Sequence, residues 1–284
     1  MTTPLAAAAR SGARRGVFEF QQSFTTATDI FALIFPNVIL LTVMIFMRDS
    51  TVGATGFSLG TMSLSSVVGM SVAFNGMMTV MQHLAVERED GTLLRAKAIP
   101  NGMFGYLVGK IVLIAGLTVV TLLMILVPGM LLFDGLALDT AGAWLTLVWV
   151  LVLGLVATMP IGAILGSMFE NPRTSGLMML PVMGLVAVSG IFTPLSEAPQ
   201  WMQLVGQVFP IYWLGLGMRS AMLPDGLEVV EIGGSWRHWE TVGVLGLWAV
   251  IGLVVAPAVL RRMARRESGA AVAERREKAL QRVT

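Results

Sequence analysis

The sequence predicts an all-α polytopic membrane protein: six transmembrane helices, a short surface helix between spans two and three, and a re-entrant helical hairpin before span six. Three observations carry this reading. Of 284 residues, 55% are hydrophobic and 13% charged, against about 25% charged in soluble domains; so few polar groups cannot cover a globule, and lipid must be the main solvent. Six apolar runs approach or exceed the ~20 residues needed to cross hydrocarbon. The basic residues are strongly biased to one side of those runs.

The chain reads as one domain in three parts: 1–29, a tail and interfacial helix; 30–260, the six-span core; 261–284, a basic tail. Residues 1–16, Ala-rich with Arg10, Arg14 and Arg15, suggest a flexible basic tail. A cleaved signal peptide is not expected, because the apolar run starts only near Ile30 and no small-residue cleavage pattern follows it. Residues 17–28 mix Phe18, Phe20 and Phe24 with Glu19, Gln21 and Gln22, which suits an interfacial helix or an ordinary loop. The spans are expected at 30–47, with Pro36 and Asn37 inside, then 59–86, 103–133, 141–169, 176–192 and 241–260. The longest must tilt, kink or project from the bilayer.

Residues 201–223 are apolar enough to suggest a seventh crossing, but they contain Gln203, Gln207, Pro210 and Arg219. Charge decides between the readings. With six spans and both termini on the inner side, 16 of 19 basic residues are inside, leaving Arg48, Arg219 and Arg237 outside. A seventh crossing would carry Arg261, Arg262, Arg265 and Arg266 to the outer side, against the positive-inside rule. Residues 195–223 are therefore expected to enter from outside, turn at Pro210 and leave on the same side. Such a turn at membrane depth requires protein or water around it.

The densest charge between two apolar runs is Glu87-Arg88-Glu89-Asp90-Gly91-Thr92-Leu93-Leu94-Arg95, followed by Pro100. It is too polar for hydrocarbon and too short for a domain. It reads as an amphipathic helix on the membrane surface, with Gly91 breaking it from span two and Pro100 ending it; the plainer alternative is a solvated loop. Within span two, Phe74, Asn75 and Met78 with Asn37 of span one are the candidates for a soft, polar-and-aromatic substrate path. The same residues also suit helix packing, as does Gly162-x3-Gly166 in span four.

Several classes are disfavoured. No run carries Asp, Glu, Lys or Arg away from its ends, as ion-coupled transporters usually require. His83 and His238 fall on opposite sides of the membrane and cannot share a hydrolytic site. There is no P-loop: around Gly109-Lys110, Phe104 stands where the first Gly belongs and Ile111 where the hydroxyl belongs. With no cysteine in the chain, thiolate metal sites and disulfides are excluded.

Two motifs and the span plan together resemble the membrane (permease) subunit of type-2 ABC exporters, of the daunorubicin-resistance permease kind. The first is Glu87-Arg88-Glu89-x-Gly91-Thr92-Leu93 with Pro100. The second is Ser189-Gly190-Ile191-Phe192-Thr193-Pro194-Leu195 with Pro199-x-Trp201-Met202 and Phe209-Pro210-Ile211-Tyr212. The resemblance implies a subunit without its own ATPase, with ATP and Mg held by a separate ATP-binding subunit. It implies a second permease copy, identical or related, and an amphipathic substrate such as a drug, antibiotic or lipid. Composition, without cysteine and dense in Gly, Ala and Arg, suggests a bacterial inner membrane; the charge bias puts both termini in the cytoplasm, and no nucleic acid is expected. Residues 87–95 would then couple the chain to the ATPase: Glu87, Glu89, Arg88 and Arg95 by charge, Leu93 and Leu94 by filling an apolar socket, Gly91 and Thr92 at the turn. The alternative of a different class is a membrane scaffold or receptor-like assembly factor that transports nothing.

Overall fold

The computed structural model describes residues 4–52, 56–168 and 179–266. Its architecture is all-helical, and the described residues add only an isolated bridge between Thr51 and Ser58. In chain order the helices are α1 (Pro4–Gln22), α2 (Ala27–Phe46), α3 (Leu59–Glu89), α4 (Thr92–Lys97), α5 (Gly102–Leu132), α6 (Ala141–Met168), α7 (Met179–Ala187), α8 (Gln200–Val208), α9 (Pro210–Met222) and α10 (His238–Arg266). Among the described residues five are long and apolar enough to cross a membrane: α2, α3, α5, α6 and α10. The predicted fifth span, 176–192, lies partly outside the described residues; its described part is helical only over Met179–Ala187.

The centre of the molecule is α3. Every residue from Gly60 to Ala73 is buried, and α2, α5, α6 and α9 pack around it. Five small polar residues, Thr61, Ser63, Ser65, Ser66 and Ser71, lie in that stretch, which suits close packing but leaves hydroxyls to satisfy. Ser65, Ser66 and Ser71 each donate to the carbonyl four residues back, at 3.3, 3.1 and 2.8 Å. Over Asn75–Thr79 the helix widens into a π turn. Gly76 allows this point to touch α6: a Cβ there would overlap the Thr158 hydroxyl, and one on Gly162 would overlap the Met77 carbonyl. The close-packing role expected of Gly162 is thus realised against α3.

The predicted flexible tail is instead the first half of a helix. Ala-rich sequence favours helix, and α1 has a partner: buried Gly12 and Gly16 lie on Gly105 and Gly109 of α5, so tightly that a Cβ on either would overlap a carbonyl oxygen. Phe20 continues the register against Gly116, so α1 runs in the same direction as α5.

The hairpin has the expected turn. Phe209 is extended (φ −97°, ψ 152°) before Pro210, which opens α9. Its second arm, α9, is buried against α3 and α6. The chain crosses back and forth between two ends. At one end are α1, α4 and the last turns of α10, where Leu84, Leu93, Ala96, Tyr106, Leu260 and Met263 form one apolar cluster. At the other are Arg48 paired with Asp134 at 3.0 Å, the hairpin and residues 223–238.

Candidate functional site

The charged island folds as two pieces. Glu87–Glu89 complete α3, and only Thr92–Lys97 form the short helix α4. Between them Gly91 is left-handed (φ 77°), a conformation that glycine adopts at no steric cost. Asp90 accepts from the Thr92 amide at 2.7 Å and caps the turn. After α4 the chain turns again at Asn101 (φ 55°) into α5. So α4 hangs from two left-handed corners, between two long helices.

Leu93 is buried in the chain's own apolar cluster with Leu84, Ala96 and Tyr106. It anchors α4 rather than projecting from it. Leu94 is half-buried, whereas Arg95, Lys97, Ala98, Ile99 and Pro100 are exposed. Arg95 donates to the Thr92 hydroxyl at 2.9 Å. Ile99, at 62% exposure, is an apolar side chain at the tip of the turn; it was not singled out from sequence, though its place just before Pro100 in a charged segment was the available signal.

Glu87 and Arg88 point inward. Arg88 is buried and donates to the Ser167 carbonyl on α6 at 3.2 Å. Glu87 is buried and accepts from the Tyr106 hydroxyl at 2.6 Å and from Lys110 Nζ at 2.6 Å. Lys110, which sequence reading assigned to a span's end, is enclosed within α5 and also contacts Glu19 of α1 at 2.6 Å. Arg15 completes the group at 2.7 Å from Glu19 and 3.6 Å from Glu87. Two acids and two bases balance, and a tyrosine hydroxyl fills a remaining acceptor site, as buried ions require. Burial pushes the Glu19 carboxyl up, but bonds from Lys110 and Arg15 outweigh this and hold it below the ordinary glutamate value. This network joins α1, α3 and α5 directly behind α4. Sequence reading missed it because its members are 15, 19, 87, 106 and 110, and only the fold brings them together.

The residues expected along a substrate path separate. Asn37 is buried in α2, donates to the Leu33 carbonyl at 2.7 Å, and lines an apolar groove with Val38, Leu41, Val120 and Val127. Met78 is enclosed, as are Met70, Met77 and Met81. Phe74 and Asn75 are half-exposed beside the π turn, Asn75 donating to the Ser71 carbonyl at 3.0 Å. Thr79, Gln82 and His83 continue that open strip. His83 and His238 lie at opposite ends, His238 edge-on to Trp149 at 6.5 Å.

At the hairpin end, Arg219 of α9 is fully buried. It meets Glu231 through two bonds of 2.6 and 3.0 Å and donates to Ser66 of α3 at 2.8 Å. Arg237 bonds Gln207 of α8 at 2.7 Å and stacks on Trp213 at 4.7 Å. These contacts tie both hairpin arms to the loop before α10, and α9 to the central helix.

No curated protein matches the chain. The sequence model described as ABC-2 family transporter protein matches residues 21–257. With that match over an all-helical, multi-span architecture, the chain belongs to the ABC-2 family, the membrane components of ABC transporters, whose ATPase is carried by a partner subunit.

Proposed function

We propose that the chain is the permease subunit of an ATP-driven exporter of the daunorubicin-resistance kind. A separate ATP-binding subunit, holding ATP and Mg, docks on the exposed face of residues 89–100, and a second permease copy, identical or related, completes the path. The observation that carries this reading is α4: a short helix held between two left-handed corners and anchored through Leu93, with Arg95 and Ile99 left outward. A push on such an element passes straight into α3 and α5. Glu87, Arg88 and Leu93 serve by stiffening that joint from within, and Glu89, Leu94, Arg95 and Ile99 face the partner.

The end carrying α1, α4 and the last turn of α10 is cytoplasmic in this reading, on the bacterial inner membrane, because Arg10, Arg14, Arg95, Lys97, Arg261 and Arg262 lie there. An amphipathic substrate passes the open strip of α3 at Phe74, Asn75, Thr79 and Gln82, which offers an aromatic ring, two amides and a hydroxyl without a fixed charge.

Export and copurified ATPase activity, measured together, test this. Gly91→Pro forbids the left-handed corner, and Arg95→Glu inverts the charge offered to the partner. Both variants should insert in the membrane yet lose export, with hydrolysis either lost or no longer linked to it. Parent-level export and hydrolysis in both would refute the lever.

A further inference from the structure

Three arginines lie on α1, and they divide. Arg15 turns toward the buried network. Arg10 and Arg14, one turn apart, stand on the opposite side of the helix from Gly12 and Gly16, and no ion pair to either forms among the described residues. The outward face comprises Ala7, Arg10, Arg14, Val17, Phe18 and Gln21, all exposed, with no acidic residue among them. Phe18 is 65% exposed and Val17 46%.

The parallel register with α5 orders this face along the molecule. Gly12 meets Gly105, Gly16 meets Gly109 and Phe20 meets Gly116, so Val17 and Phe18 lie deeper along the bundle than Arg10 and Arg14. Beside this face α5 exposes Phe104 and Leu107 at the level of Arg10 and Arg14, and Ile111 at the level of Val17 and Phe18. Basic residues outermost and apolar ones inward is the order of a headgroup layer over acyl chains. An exposed protein-docking face would not need that gradient beside an apolar wall of a spanning helix.

We infer that the outward face of α1 is a binding site for anionic phospholipid, with Arg10 and Arg14 holding phosphate-bearing headgroups and Val17 and Phe18 seated among the acyl chains beneath. Guanidinium groups suit phosphate oxygens through paired N–H donors. Because α1 reaches Glu87 directly through Arg15, and through Glu19 by way of Lys110 of α5, occupancy of this site would also hold the joint behind α4. The site does not depend on the transport reading: it requires only that the chain spans a membrane.

The test uses the full-length protein, purified in detergent and stripped of lipid. Native mass spectrometry counts lipids retained during titration with phosphatidylglycerol or phosphatidylcholine. The parent should prefer phosphatidylglycerol. In Arg10→Gln/Arg14→Gln that preference should fall at least about fivefold, with the melting temperature unchanged, while Arg261→Gln/Arg262→Gln should keep most of it. In lipid nanodiscs, a cysteine replacing Phe18 should be shielded from a water-soluble maleimide. Equal retention of the two lipids by the parent, or an unchanged preference in the α1 double variant, would overturn the site. Loss of a copurifying ATP-binding subunit with lipid retention intact would overturn it as well, and would assign the face to a protein partner.

Discussion

Lys110 sets the chemistry of the end that carries α4. A lone ammonium enclosed between helices would be costly, and it is tolerated because Glu87 and Glu19 both lie 2.6 Å away. Removing it should leave two carboxylates facing one another with only Arg15 and Tyr106 to hold them. Lys110→Met should therefore destabilise the protein by about 3 kcal/mol, read as a fall in melting temperature in detergent, and adding Glu87→Gln should recover part of the loss. A full-strength Lys110→Met protein would mean the cluster contributes little. Glu19 gives a separate pH signature. Its carboxyl is held below the ordinary value of 4.5, so its pairing is fully present above that value and is lost as pH falls through the lower folded-state value. The stability gap between the parent and Glu19→Gln should accordingly narrow as pH drops below about 4.5, and a gap constant from pH 7 to that range would contradict the pairing. None of this was readable from the chain, since a lysine eight residues into an apolar run looks like a span's flank until α1 and α3 are laid against it.

Helix-to-helix contact in this molecule depends on missing side chains. Gly162 and Gly166 of α6 lie on α3 at the π turn and at Met81, where a Cβ on Gly166 would come within 3.0 Å of the Met81 backbone. Gly162→Leu should force α6 from α3 and lower the melting temperature markedly, whereas Gly243→Leu, where an added Cβ meets nothing within 4 Å, should be tolerated; equal effects would show that the contact does not govern stability. Spans one, two, three, four and six were legible as long helices because long apolar runs leave little choice, and the break between α8 and α9 was legible from Pro210. The length of α4 was not: a charged string shows where hydrocarbon ends, but not that Glu87 and Arg88 still belong to α3 and turn inward. Nor was α1 legible as a docked helix. Gly12-x3-Gly16 and Gly105-x3-Gly109 are each unremarkable alone, and their meaning lies in meeting one another. Of the expected path residues, Phe74 and Asn75 were placed on an open strip and Met78 was not, because the π turn rotates the face that a regular helix would present.

Across the whole molecule the two ends are built differently. One carries the anchored helix α4 with Arg95 and Ile99 exposed; the other is bolted by Arg219 to Glu231 and Ser66, all within the protein. In the proposed function a push at one end would pass through α3, which is buried at both Glu87 and Ser66. In the proposed function the push comes from an ATP-binding subunit seated on residues 89–100. Ile99 tests it most directly, being exposed and tied into none of the apolar clusters among the described residues. A photocrosslinking residue placed at position 99, activated in intact membranes, should yield an adduct with an ATP-binding subunit, and its yield should change when ATP is trapped there. Adducts only with lipid, or none, under conditions where the same probe at buried position 93 reports crosslinks within the chain, would contradict the account.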